Sequence, residues 1–257
     1  MPRNARQVSK TGIYHLIVRG INREALFHDD EDRQRYLETL ARIIEDSSIA
    51  VLGYCLMDNH VHLLLQEDSN GVSNVMHRLG ASYAYYYNCK YERTGHVFQN
   101  RFKSETVEDD AYLQTVIRYI HQNPVKAGLS SEADAYPWSS CQVYYGGTDY
   151  LPRLTSTALI LGLFSEKKDQ AIIAFRQFIA AITNDICLED LEGKALSDTK
   201  ALQLIKKVLK NSPKGTLMEM TKADRNELVG QLKLIEGLSI RQISRLTGVS
   251  FNIVKRA

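Results

Sequence analysis

Two alternating apolar runs, IAVLGYCLM (49–57) and HVHLLLQ (60–66), are separated by Asp58 and Asn59 alone. Two turn-forming residues between two strand-like runs leave one local solution, an antiparallel hairpin. Everything else in the first half of the chain must then be added to the edges or faces of that pair. Upstream, GIYHLIVRG (12–20) alternates and is rich in β-branched and aromatic residues, so it reads as a further strand. DDEDRQRYLETLARIIEDSS follows, with acids crowded into its first turn and Tyr36, Leu37, Leu40, Ile43 and Ile44 at helical spacing. Downstream come a helix in GVSNVMHRLGASYAYYYNCKY, a strand in RFKSETVE (101–108) and a helix in DAYLQTVIRYIHQN (110–123). Pro124 and the Gly128 of NPVKAGL should stop that last helix. The order is β-α-β-β-α-β with one helix appended, the split βαβ pattern of a ferredoxin-like α+β sheet. Unrelated functions share that pattern, so it selects none.

The remainder divides in composition. AYPWSSCQVYYGG runs into Gly146-Gly147, which places a first domain over 1–148, a helical connector over 149–195 and an all-α region over 196–257. Within the last, TKADRNELVGQLKLIEG has a capping-type start at Thr221 and a glycine stop at Gly237. SIRQISRLTGVSFNIVKRA gives a short helix, a turn at Gly248 and a helix beginning after Ser250. Ser244, Val249 and Val254 stand where two helices could cross closely, as in a helix-turn-helix or a generic helical hairpin. Residues 196–257 hold 12 Lys and Arg against 5 Asp and Glu, whereas residues 1–145 hold 15 against 18. Only the tail has a bulk electrostatic case for nucleic acid, and a solvated basic surface is its other reading. The opening 23 residues carry Arg3, Arg6, Lys10, Arg19 and Arg23 and no acid. Cys55, Cys89, Cys141 and Cys187 form no CxxC pair, which suits reduced thiols in the cytoplasm and neither a zinc knuckle nor a disulfide framework. No apolar run nears the roughly 18 residues of a spanning helix, and MPRNARQVSK lacks a signal-peptide core, so no membrane is expected.

Chemistry concentrates in two places. In MDNHVHLLL (57–65), His60 and His62 point to one face of a strand and Val61 and Leu63 to the other. Two aligned imidazoles are either an oddity of the core or half of a metal site. On a helical wheel of 110–123, Leu113, Val116, Ile117 and Ile120 make a core stripe, flanked by Tyr112, Tyr119 and Asn123, with His121 nearly opposite Tyr119. A tyrosine at a core edge usually keeps its hydroxyl in water. A phenol and an amide one turn apart can instead face one site together. His15, His28, His77 and His96 read as ordinary packing or surface residues, as do Tyr83, Tyr85, Tyr86 and Tyr87 of SYAYYYN.

The runs YHLIVRGINREALF, MDNHVHLLL and RYIHQNPVKAGL, in that order over roughly residues 10 to 145, resemble the single-tyrosine HUH transposases of insertion sequences. Among them the chain is most similar to the REP-associated tyrosine transposases, which act on repetitive extragenic palindromes. The resemblance implies that His60 and His62 are metal ligands and that Asn123 is a third, where some relatives carry Gln. It also implies that Tyr119 is a nucleophile forming a 5′-phosphotyrosine with single-stranded hairpin DNA. The implied metal is Mg2+ or Mn2+. Imidazole ligands alone would favour manganese or zinc, a tension resolved if water and phosphate oxygens fill the remaining positions. Arg19, Arg23, Arg101 and Lys103 are candidates to track a DNA backbone. A bacterial cytoplasmic, nucleoid-associated enzyme is expected, as a monomer or a homodimer, with duplex DNA as a partner of the C-terminal region. Two other readings stay open: a non-catalytic DNA-binding regulator, and a metal-dependent hydrolase with water as nucleophile.

Overall fold

The computed structural model describes residues 7–45, 47–67, 71–181, 183, 187, 198–210, 220–235, 238 and 240–256. The chain forms two compact units, Met1–Asp185 and Ile186–Ala257. The first is mixed α/β. It runs β1 (Ile13–Arg19), α1 (Asp30–Glu45), β2 (Ala50–Met57), β3 (His60–Gln66), α2 (Val72–Lys90), β4 (Lys103–Thr106) and α3 (Asp110–Lys126). The four strands form one sheet in the order β2-β3-β1-β4, with every pair antiparallel.

Register decides which side chains meet. Met57 pairs with His60 across the two-residue turn, Arg19 with His60 and Ile17 with His62. Ile17 pairs with Lys103 and His15 with Glu105. Directly opposed residues share a face, and so do residues two apart. His15, Arg19, His60, His62, Lys103 and Glu105 therefore stand on one face. On the other, Leu16, Val61, Leu63 and Leu65 are completely buried, and α1 packs against α2.

Helix α3 lies on the histidine face. Gly53 shares that face with Cys55 and His62, and a Cβ there would collide with the Ile117 side chain of α3. Asp109 caps the helix, accepting from Tyr112 N–H at 2.7 Å. The helix does not stop at Pro124 but continues to Lys126. A proline removes one hydrogen bond to the carbonyl four residues back without leaving helical φ, and that loss is tolerable in a final turn. Termination comes at Gly128, φ +72°, where Gly128 N–H bonds Val125 O and Leu129 N–H bonds Pro124 O.

The tyrosines of α2 are explained by packing. Asp32 is completely buried yet accepts from Tyr91 Oη at 2.7 Å, His28 N–H at 2.8 Å, Lys90 Nζ at 2.9 Å and Tyr86 Oη at 3.1 Å. A buried carboxylate is tolerable when so many donors surround it. Tyr87 Oη donates to Ala25 O, and Tyr83 Oη to Leu26 O.

The free side of β2 is covered by chain beyond α3. Leu56 N–H donates to Trp138 O, Ser140 N–H to Tyr54 O and Ser156 N–H to Val51 O. Then α4 (Cys141–Tyr144), α5 (Ala158–Gly162) and α6 (Lys168–Ala180) complete the unit. Phe175 of α6 is fully buried against Tyr144, ring centroids 4.7 Å apart, and Gln122 of α3 donates to Ile179 O and Ala181 O. Much of the expected connector, 149–195, is thus part of the first unit, and the expected edge at 148 lies inside it.

The second unit contains α7 (Asp198–Lys210), α8 (Lys222–Lys233), α9 (Ile240–Thr247) and α10 (Phe251–Arg256). Ala201, Ile205, Val229, Leu232, Ile243, Val249 and Val254 form its core. Thr221 caps α8 through Asp224 N–H at 3.3 Å. The expected stop at Gly237 lies outside the described residues. Gly248, φ +75°, turns the chain between α9 and α10. Among the described residues no helix is long and apolar enough to cross a membrane.

Candidate active site

The hairpin turn places His60 at the first position of β3 and His62 two residues in. Their ring centroids are 5.0 Å apart with nearly perpendicular planes. Helix α3 brings two further groups over them. Tyr119 is 4% exposed, and its ring centroid lies 5.6 Å from that of His62. One turn on, the Asn123 side-chain nitrogen is 3.2 Å from His62 Nε2. The same amide also acts on His60, opposing the downward effect of burial on its pKa. Two pairs of residues far apart in sequence thus meet at one site: His60 and His62 with Tyr119 and Asn123.

Burial, and after it the charge of Arg19, pushes His60 down to about 4. Burial first, then His60, His15 and Arg19, holds His62 well below the ordinary histidine range. Both imidazoles are therefore neutral at pH 7, the state in which a ring nitrogen can ligate a cation. Among the described residues no group of three or more His, Cys, Asp or Glu side chains could hold a metal ion. Two imidazoles and an amide remain a usable donor set, since rotating the Asn123 amide presents its oxygen where the nitrogen lies.

Positive charge rims the pocket. Arg19 is half-buried; burial and then Arg23 lower its pKa, and interaction with Tyr119 opposes them. Lys103 is lowered by burial and by Arg19. Lys126 Nζ lies over the Tyr119 ring, 5.3 Å from its centroid. Of the four cations proposed to track DNA, Arg19 and Lys103 stand on the histidine face, and Arg23 is exposed beside Arg19. Arg101 is exposed ahead of β4, outside these contacts.

Three residues of this site were not singled out from the sequence. His15 is completely buried, with Nε2 at 3.1 Å from His62 Nδ1 and Nδ1 at 3.4 Å from Glu105 Oε2. Asn59 Oδ1 is 2.7 Å from His60 Nδ1, and its own amide nitrogen donates to Arg23 O at 3.3 Å. A signal for His15 existed, because it lies four residues before Arg19 and on the same strand face. Glu105 needed the β1–β4 register. His121, expected to point away from the pocket, is completely buried on the far flank of α3, with Nε2 2.9 Å from Ser140 Oγ.

Residues 8–123 match the family described as "Transposase IS200 like". A protein of Haemophilus influenzae named "Putative REP-associated tyrosine transposase" is 25% identical over 150 residues, covering 52% of this chain and 82% of the relative. A solved structure described as "Structure of the REP associates tyrosine transposase bound to a REP hairpin" aligns with a TM-score of 0.48 at 18% identity, covering 61% of this chain and 94% of that one. The family match spans the whole pocket, from β1 to Asn123, and residues 8–123 of this chain form an IS200-like transposase domain.

Proposed function

We propose that the first unit nicks and rejoins single-stranded DNA beside a hairpin, with Tyr119 as the nucleophile. The observation that carries this reading is the seating of Tyr119 against His62, with Asn123 one helical turn away. In the nicking step the Tyr119 phenol oxygen bonds to phosphorus and gives its proton to solvent. The bond from phosphorus to the 3′-oxygen breaks, and that oxygen takes up a proton. A 5′-phosphotyrosine and a free 3′-hydroxyl result. Because the ester retains the energy of the broken bond, attack by a 3′-hydroxyl reverses the step without ATP.

Mg2+ or Mn2+, held by His60, His62 and the Asn123 amide oxygen, would supply the charge that polarises the scissile phosphate. Arg19 and Lys103, on the same face, suit the neighbouring phosphates. Tyr119 is 4% exposed, so reaction requires its side chain to turn out from beneath Lys126. The strand order β2-β3-β1-β4 supports the ferredoxin-like reading of the sheet. REP-element DNA as substrate is supported by the name of the Haemophilus influenzae relative.

For the second unit we propose duplex binding by a helix-turn-helix of α9 and α10. The turn at Gly248 and the exposed Arg245 and Arg256 support it.

The test is to incubate the protein with an end-labelled single-stranded hairpin and Mn2+ and to seek a covalent band on a denaturing gel. Tyr119→Phe should abolish the band and the nick while leaving hairpin binding intact, since only the oxygen is lost. Wild-type binding with no covalent band would favour a non-catalytic regulator. Cleavage that survives Tyr119→Phe would move the nucleophile to water or to Tyr112.

A further inference from the structure

We infer that Asn59 and the pair His15–Glu105 are positioning residues that fix the proton of each site histidine on Nδ1, turning both Nε2 lone pairs toward Asn123. The inference rests on the metal-binding reading of His60 and His62. A neutral imidazole carries one proton, and only the bare nitrogen can take a cation. Which nitrogen is bare is set by what the other one touches.

For His60 the Nδ1 partner is Asn59 Oδ1 at 2.7 Å. That amide is not free to invert, because its nitrogen is committed to Arg23 O. An oxygen at hydrogen-bond distance accepts, so His60 carries its proton on Nδ1.

For His62 the argument passes through a second ring. Glu105 is a carboxylate and can only accept, so His15 donates from Nδ1. With its proton on Nδ1, His15 presents the Nε2 lone pair, 3.1 Å from His62 Nδ1, and accepts a hydrogen bond from it. His62 Nε2 is left bare. The Asn123 amide nitrogen, 3.2 Å from His62 Nε2, is then placed to donate into that lone pair. The opposite polarity, with His15 Nε2–H donating into His62 Nδ1, would place the His62 proton on Nε2 and close the site to a cation.

The arrangement also explains why an apolar strand carries a completely buried histidine at position 15. Imidazole in water favours the proton on Nε2, so two adjacent rings both protonated on Nδ1 require partners on their far sides. Each ring has one. Second-sphere partners of this kind typically contribute tenfold to a hundredfold in metal affinity.

The test uses the full chain, labelled with 15N in its histidine rings. Long-range proton–nitrogen spectra of the metal-free wild type should show His15, His60 and His62 all protonated on Nδ1. Mn2+ binding, followed by the loss of free-ion electron spin resonance, is then measured for wild type, His15→Phe, His15→Gln and Asn59→Ala. His15→Phe removes the acceptor, so His62 should move its proton to Nε2 and Mn2+ affinity should fall about tenfold or more. His15→Gln offers an amide oxygen to His62 Nδ1–H and should recover most of both. Asn59→Ala, in the half-buried turn, should shift His60 alone. The wild-type spectrum needs no variant to fold, and a proton on His62 Nε2 there overturns the inference. So does an unchanged Mn2+ affinity in a folded His15→Phe protein. A wild type with the expected tautomers that binds no Mn2+ would instead refute the metal reading on which the inference rests.

Discussion

Replacing Gly53 by alanine should impair a reaction whose residues it never touches. A Cβ at position 53 would lie 2.5 Å from Ile117 Cδ1, 3.5 Å from Ser140 Oγ and 3.9 Å from His121 Nε2. Ordinary contact begins near 3.4 Å, so Ile117, or α3 with it, must give by about 1 Å. Overpacking of this kind costs about 1–3 kcal/mol. Reduced freedom of the unfolded chain returns only about 0.4–1 kcal/mol. Ile117→Val deletes the colliding atom. Alone it should cost about 0.5–1.5 kcal/mol, the ordinary loss of one buried methylene. On the Gly53→Ala background it should cost nothing, which corresponds to a coupling energy of about 0.5–1.5 kcal/mol. Tyr119 and Asn123 ride on the same helix, so a 1 Å displacement over the histidines should slow nicking by up to about 100-fold. The double variant should recover most of that loss. Urea midpoints for the four proteins of the cycle give the coupling, and nicking of a labelled hairpin gives the rates. Additive stabilities, or full-rate nicking by Gly53→Ala alone, would refute the claim that contact at Gly53 sets the height of α3.

The other predictions follow from the pocket, the core and the division into units. His60→Ala and His62→Ala should each lose nicking, whereas Asn123→Ala should weaken it and recover with higher Mn2+; an Asn123→Ala rate that does not respond to Mn2+ would contradict a shared ligand set. Burial pushes His121 down to about 3, below its ordinary range, so the unfolded chain binds a proton that the folded chain refuses. This contribution to stability is intact above about pH 6.5 and is lost toward pH 3, at about 1.4 kcal/mol per pH unit. His121→Gln, which can still meet Ser140, should flatten the acid limb of the urea midpoint between pH 7 and 4.5; parallel curves would refute it. Truncation after residue 185 should leave a soluble protein that nicks its hairpin, with a shallower dependence of duplex affinity on salt. Truncation after residue 148 removes the buried Ile160, Leu161, Phe175 and Ile179 and should aggregate. A soluble 1–185 protein with the full salt slope would argue against a DNA-binding tail.

How far the sequence reveals the fold depends on how local the information is. The hairpin is legible because Asp58 and Asn59 leave only two residues for the reversal, and the order of strands and helices follows from alternating and helical spacing. Tyr119 and Asn123 share a stripe by helical geometry alone. Pro124 misled because its penalty falls on a hydrogen bond in the last turn, while the left-handed Gly128 ends the helix. His15 alternates in phase with Arg19, yet nothing local says that His62 stands beside it. That knowledge requires the β1–β3 register, and Glu105 requires the β1–β4 register as well. The role of α6 was hidden for the same reason: Phe175 has a partner only once Tyr144 is placed. His121 read correctly in direction, but a wheel does not show whether the far flank of a helix meets solvent or a neighbour.

The backbone bonds along the outer side of β2 have a consequence for assembly. A strand at the border of a sheet presents unpaired amides and carbonyls that a second chain can zip onto. Here Leu56, Tyr54 and Val51 already exchange such bonds with residues 138–156 of the same chain. The opposite border is β4, four residues long, whose Lys103 and Glu105 would carry charge into any continuous intermolecular sheet. Neither border of this sheet is a template for growth. If two copies of the first unit associate, helical surfaces must meet, and the sheet of each copy must remain closed on itself.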